Sequence, residues 1–242
     1  MPSSGSLLDL TGNPLSLLWQ SVSHNIAENY HVYFFLPAFL SSFAVVKLLK
    51  RYSVSPAYSM LIFFSIGTYV MYMAALKQCF AMFFLLLSIP YAEERKYVRF
   101  YVLVVVAILF HTHAFMFAIL PLLFNKPWGK VTWIGLGAAL FAMATYDSTL
   151  GAFMEYAQSL GALVDESELF DGYKINFLRV AVYWVPSILA LVFRKRLFGN
   201  SSRLENLFFN MAIVSSIILM IGLVQGANLY ARMAAYFEIA TA

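Results

Sequence analysis

Three stretches place polar groups of useful chemistry inside otherwise apolar sequence: Lys77-Gln78, His111-Thr112-His113, and the series Gln225, Asn228, Arg232, Tyr236. A near-neutral imidazole can take a proton from a hydroxyl, and burial holds it uncharged and ready as a base. A guanidinium stays charged under burial and offers a planar fork to phosphate oxygens; an ammonium is a compact point charge. An ammonium in hydrocarbon costs about 2.5–3.5 kcal/mol on insertion scales, so Lys77 should line a cavity or reach the interface.

Each stretch also has a plainer reading. Lys77 can be a helix-end lysine snorkelling to headgroups. The histidines can be hydrogen-bonded structural groups at a helix break. The series from Gln225, spaced three, four and four residues apart, forms one stripe of a helix and can simply glue neighbouring helices. Gly226 lies within that stripe and can break it. If His111-Thr112-His113 is helical, the two imidazoles project about 200° apart, so only one reaches a given substrate and joint chelation of a metal is improbable. His24 and His31 lie far away in sequence, no Cys or carboxylate spacing completes a metal site, and Cys79 is the only cysteine. No metal or cofactor is expected.

The elements that must position these groups are membrane helices. Of 242 residues, 62% are hydrophobic and 12% charged, whereas a soluble domain carries about a quarter charged residues. The expected class is all-α, a polytopic integral membrane protein of about seven to eight segments, some short or broken. The apolar runs are Val32–Val46, Ala57–Ala75, Cys79–Pro90, Phe100–Phe110, Ala114–Phe124, Val131–Tyr146, Asn176–Phe193 and Leu207–Val224. Several fall below the roughly 20 residues of a perpendicular span, so tilt or half-helices are implied. The chain reads as one transmembrane domain, with N-terminal helices over 31–146, an acidic extracytoplasmic segment over 147–175 and C-terminal helices over 176–242. It ends at Glu238-Ile239-Ala240-Thr241-Ala242, inside an apolar helical pattern, and reads as a fragment of a longer protein.

Orientation follows from the basic clusters. Twelve of the 16 Lys and Arg residues lie in four of them: Lys47/Lys50/Arg51, Arg95/Lys96/Arg99, Lys126/Lys130 and Arg194/Lys195/Arg196/Arg203. These read as cytoplasmic loops rather than a nucleic-acid surface. All four reach one side only if residues 100–124 make two short passes broken at His111-Thr112-His113. Lys77, Gln78, His111, His113 and Arg232 then share the opposite face with Asp147–Tyr173, which holds six of the 12 acidic residues and no Lys or Arg. That acidic and aromatic segment can bind carbohydrate, although a solvated charged loop is the commoner explanation. No Gly-rich nucleotide loop, nucleophile elbow or HExxH is present, so a lipid-borne, already activated substrate fits better than soluble nucleotide-driven chemistry.

At these residues a resemblance emerges. Leu76-Lys77-Gln78-Cys79-Phe80-Ala81, the basic Glu94-Arg95-Lys96, Ala107-Ile108-Leu109-Phe110-His111-Thr112-His113-Ala114 and the late Arg232-x-x-x-Tyr236-Phe237 resemble, in order and spacing, elements of the EpsG family of bacterial exopolysaccharide polymerases. Lys77 stands where that family has Arg, and His113 where it has a small residue. The resemblance implies a Wzy-like enzyme of the bacterial cytoplasmic membrane, acting on its outer face on polyprenyl-diphosphate-linked oligosaccharide without a metal. Its partners would be that glycolipid, membrane lipid and other polysaccharide-assembly proteins. It further implies His111, Arg232 and Lys77 as catalytic groups, with Gln78, His113, Asn228 and Tyr236 binding substrate. A membrane acyltransferase modifying polysaccharide, and a non-enzymatic glycolipid transporter or assembly subunit, are the other classes open to these residues.

Overall fold

The computed structural model describes residues 13–26, 30–70, 75–145 and 173–241. Among them every regular element is helical. In order they are α1 (Pro14–Ile26), α2 (Tyr30–Tyr52), α3 (Pro56–Ser65), α4 (Leu76–Glu93), α5 (Tyr97–Phe110), a 3₁₀ helix (Thr112–Phe124), α6 (Lys130–Ala144), α7 (Phe177–Val192), α8 (Arg194–Leu197), α9 (Arg203–Ile221), α10 (Ala227–Glu238) and a terminal 3₁₀ turn (Ile239–Thr241). Among the described residues, most of each apolar run expected from the sequence falls on one of these helices, with one interruption. Within 57–75 the helix stops at Ser65 and Gly67 takes φ 80°, a left-handed turn that glycine adopts without a Cβ penalty.

Among the described residues two helices, His31–Tyr52 and Arg203–Ile221, are long and apolar enough to cross a membrane, and five others are apolar but shorter. Outward faces are apolar as well. On α5, Val98, Val102 and Val105 are exposed, and on α7, Val182, Val185, Leu189 and Val192 are exposed. A continuous exposed stripe of this kind is a liability in water and the expected surface in lipid.

The chain forms two compact units, residues 1–118 and 119–242. In the first, α4 is the central helix. Ala81, Met82, Leu85, Ile89 and Ala92 are all fully buried, because α2 and α5 pack on either side. The turn from α4 to α5 is short: Arg95 takes φ 59°, Lys96 N–H donates to the Tyr91 carbonyl at 2.8 Å, and Lys96 Nζ lies 2.6 Å from Glu94 Oε2. That hydrogen bond and charge hold the Glu94 carboxyl below its ordinary range. At the same end Glu93 accepts from Tyr52 Oη at 2.7 Å and pairs with Arg51 at 3.4 Å.

In the second unit α9 is central, contacting α6, α7 and α10. It starts with a capping box, in which Ser202 Oγ accepts from Glu205 N–H and the Glu205 carboxylate accepts from Ser202 N–H. Ser216 Oγ donates to the Tyr183 carbonyl at 2.8 Å and lies 3.0 Å from Ser187 Oγ, joining α7 to α9 by polar contacts inside an apolar bundle. Two basic loops meet at one end of this unit. Asn210 Nδ2 donates to the carbonyls of Leu123 and Asn125 at 2.7 and 2.6 Å, and Arg203 lies over the Phe124 ring at 4.3 Å. At the other end of α9, Ile175 N–H donates to the Gly222 carbonyl and Ala227 N–H to the Tyr173 carbonyl, at 2.8 and 3.0 Å.

Candidate functional site

His111 sits at the break the sequence predicts. α5 ends at Phe110, His111 is extended (φ −151°, ψ 113°), and the 3₁₀ helix begins at Thr112. The Ala114 N–H donates to the His111 carbonyl at 3.0 Å, closing the first 3₁₀ turn. Asn13 supplies the cap: its Oδ1 accepts from Thr112 N–H at 2.9 Å and from Thr112 Oγ1 at 3.0 Å. The chain then doubles back, for Tyr101 Oη donates to the Ala118 carbonyl at 3.4 Å, which brings a residue of α5 against one of the 3₁₀ helix across the break at His111. A 3₁₀ helix rises about 2.0 Å per residue against 1.5 Å for an α-helix, so the 13 residues of Thr112–Phe124 reach roughly 26 Å rather than 20 Å. The conformation lengthens a segment that is short by residue count.

The expectation that His111 and His113 point apart is overturned. Their ring centroids are 5.1 Å apart at an interplanar angle of 42°, and both side chains are buried. The 200° separation assumed helical backbone, whereas an extended residue at 111 returns side chains two apart to the same side. The two imidazoles therefore form one pair. Among the described residues no group of three His, Cys, Asp or Glu gathers to hold a metal.

Lys77 and Gln78 occupy the first turn of α4, whose N-cap, Ala75, gives no side-chain cap. Phe80, three residues on from Lys77, stacks on Phe110 at 4.7 Å, and Phe84 stacks on the same ring at 5.6 Å. These contacts set the start of α4 against the end of α5, at the level of His111. Gln78 is fully buried and Lys77 half-buried. Within the first unit, Lys77, Gln78, His111 and His113 thus share one end, and Arg51, Glu93, Glu94 and Lys96 occupy the other.

The second unit carries the remaining predicted residues on α10. Gly226 takes φ 71° immediately before the helix, so Gln225 lies in the preceding turn and drops out of the predicted stripe. Asn228, Arg232 and Tyr236 stay on one face. Asn228 is exposed, Arg232 half-buried and Tyr236 wholly buried, so the stripe runs from solvent into the interior. Tyr173, at the edge of the acidic segment, binds the start of this helix through Ala227. The rest of that segment lies outside the described residues.

One cation was missed in the sequence. Arg179, in the first turn of α7, pairs with the fully buried Glu238 at the end of α10 at 3.4 Å and lies over the Tyr183 ring at 5.9 Å. A lone arginine opening an apolar run, like Arg232, is itself the signal for such a residue. Asn176 fixes its helix by accepting from Leu178 N–H at 2.8 Å.

The model of the EpsG family matches residues 2–242. The chain belongs to that family, which makes it a membrane protein of polysaccharide biosynthesis. Neither curated proteins nor solved structures gave a match.

Proposed function

We propose that this EpsG-family member polymerises polysaccharide repeat units, transferring a polyprenyl-diphosphate-linked glycan to a sugar hydroxyl on the outer face of the bacterial cytoplasmic membrane. The observation that carries this reading is the buried His111–His113 pair at a capped helix break, level with Lys77 and Gln78 at an uncapped helix start. The first offers a base, the second cationic and N–H groups for an anion.

In the proposed step His111 takes the proton of the acceptor hydroxyl as its oxygen attacks the anomeric carbon. The bond from that carbon to the phosphate oxygen breaks, and the electron pair leaves with the polyprenyl diphosphate. Lys77 and Arg232 neutralise the charge that develops there, the electrostatic work that dominates many such transfers. Gln78 and Tyr236 orient the pair of substrates, His113 steadies the His111 ring, and Asn228 binds sugar hydroxyls at the exposed end of its stripe. This chemistry needs no metal.

The test is the length distribution of cell-surface polysaccharide in a deletion strain complemented with wild type or His111→Ala. Loss of long chains with single repeat units retained is the expected result. Normal chains from a stably expressed variant would move the assignment to transport or assembly. Transfer of label from an acyl donor would mark an acyltransferase instead.

A further inference from the structure

We propose that the second unit binds an anionic phospholipid in the cleft between residues 119–124, α6 and α9, with Lys126 and Lys130 holding its phosphate and an acyl chain lying on the apolar wall. None of the residues that line this cleft is among the groups assigned to the reaction. The cavity measures about 280 Å³ and is walled by Leu122, Val131, Ile213 and Ile217, with the exposed Gly135 also in its lining. Leu122 and Val131 are exposed at the rim, where hydrocarbon would meet them.

Three features make this a built site rather than a surface gap. Lys126 and Lys130 are both exposed at its edge, and neither has an ion-pair or hydrogen-bond partner among the described residues. The turn carrying them is pinned from both sides. Trp128, at φ 55°, is buried and donates its indole N–H to the Ser187 carbonyl at 3.0 Å, while Asn210 holds the carbonyls of Leu123 and Asn125. A side chain at Gly129 would crowd the Lys126 carbonyl, at 2.9 Å, so the turn closes tightly between the two lysines. By contrast, a side chain at Gly135 would meet nothing within 4 Å, so the cleft is open where an acyl chain would lie.

Charge selects the occupant. Two ammonium groups on a pinned turn, without a partner among the described residues and beside an apolar wall, match a phosphate ester carrying a hydrocarbon chain, and basic clefts between membrane helices bind such headgroups. A comparable cleft in the first unit is lined by Lys47 and Arg51, but Arg51 is already engaged by Glu93 and Glu94 at 3.4 and 4.0 Å.

The experiment is native mass spectrometry of the purified protein with phosphatidylglycerol or with phosphatidylcholine of the same chains. Wild type should retain phosphatidylglycerol on the order of tenfold more tightly, as two lysines near a headgroup imply. Lys126→Gln with Lys130→Gln should abolish that preference, and Gly135→Phe should reduce retention by placing a ring in the open part of the cleft. Lys47→Gln should leave it unchanged. Equal retention of the two lipids by wild type overturns the proposal without any variant. Undiminished retention in Gly135→Phe removes the cleft from it. Displacement by glycerol phosphate would reduce the site to a headgroup contact, and displacement by polyprenyl phosphate at equal strength would reassign it to the substrate carrier; either result overturns it.

Discussion

The imidazoles of His111 and His113 face each other 5.1 Å apart, because an extended residue between two helices returns both side chains to one side. The backbone on either side of the pair is itself held in place. Asn13 fixes Thr112, and the turn closed by Ala114 N–H fixes His111. A base positioned in this way depends on the break, and the break depends on its cap.

The first prediction separates the two rings. His111→Gln keeps hydrogen-bonding capacity but cannot accept a proton from a hydroxyl, and should lower polymer formation about 10²–10⁴-fold, the range of a lost general base. His113→Gln should retain most of the activity, since its role is to steady a neighbour. Equal losses in both, measured as polymer length at matched expression, would show that the pair acts as a unit. Asn13→Ala should reduce activity without touching either ring.

The second concerns the cations. Arg232→Lys removes a planar fork and should cost roughly tenfold, the lower end of what a charge-assisted hydrogen bond contributes. Lys77→Arg should keep or raise activity, because it restores a fork at a half-buried position of the first helical turn. Steady-state polymer yield checks both; a gain from Arg232→Lys would exclude bidentate recognition at that residue.

What the sequence revealed and what it concealed divide along physical lines. Hydropathy located the helices because lipid exposure imposes long apolar runs, and the basic clusters located the break at His111, because only a double pass put all four on one side. The sequence expects Lys126/Lys130 and Arg194–Arg203 on one side of the membrane; in the structure Arg203 lies over Phe124 and Asn210 bonds Leu123 and Asn125, contacts that no local pattern announces. Local backbone state was not legible. Nothing in Thr112–Phe124 announces a 3₁₀ helix, and the periodicity argument at His111/His113 failed by assuming α geometry. Gly226 carried a visible warning, and its left-handed φ did end the stripe before Gln225. The Arg179–Glu238 pair joins residues 59 apart, a separation no local pattern encodes.

The third prediction tests the close approach of the chain after the acidic segment to the end of α9. A Cβ on Gly222 would run into the Ile175 side chain and lie 3.2 Å from Tyr230 Cβ. Gly222→Ala should therefore destabilise the protein by about 1–3 kcal/mol, the cost of overpacking. Ile175→Ala removes the atoms in conflict, so the double variant should be more stable than the two single losses added together. Thermal unfolding in detergent reads this, and strict additivity would mean the segment moves aside freely.

The fourth follows from Arg179 and Glu238. A fully buried carboxylate is tolerated only with a cation or hydrogen-bond donors, and removing one partner of a buried pair costs about 3–5 kcal/mol. Arg179 is about one-third exposed, so solvent screening lowers the expected loss in Arg179→Met to about 1–3 kcal/mol. Glu238→Gln keeps the shape and removes the charge, and should cost less than Arg179→Met because it strands no buried anion. The double variant Arg179→Met with Glu238→Gln should recover part of the stability lost in Arg179→Met alone. Recovery of stability together with polymer length would make the pair purely structural, tying α7 to α10. Recovery of stability without polymer would mean that the positive charge of Arg179 serves the substrate as well, alongside Arg232 on the same unit.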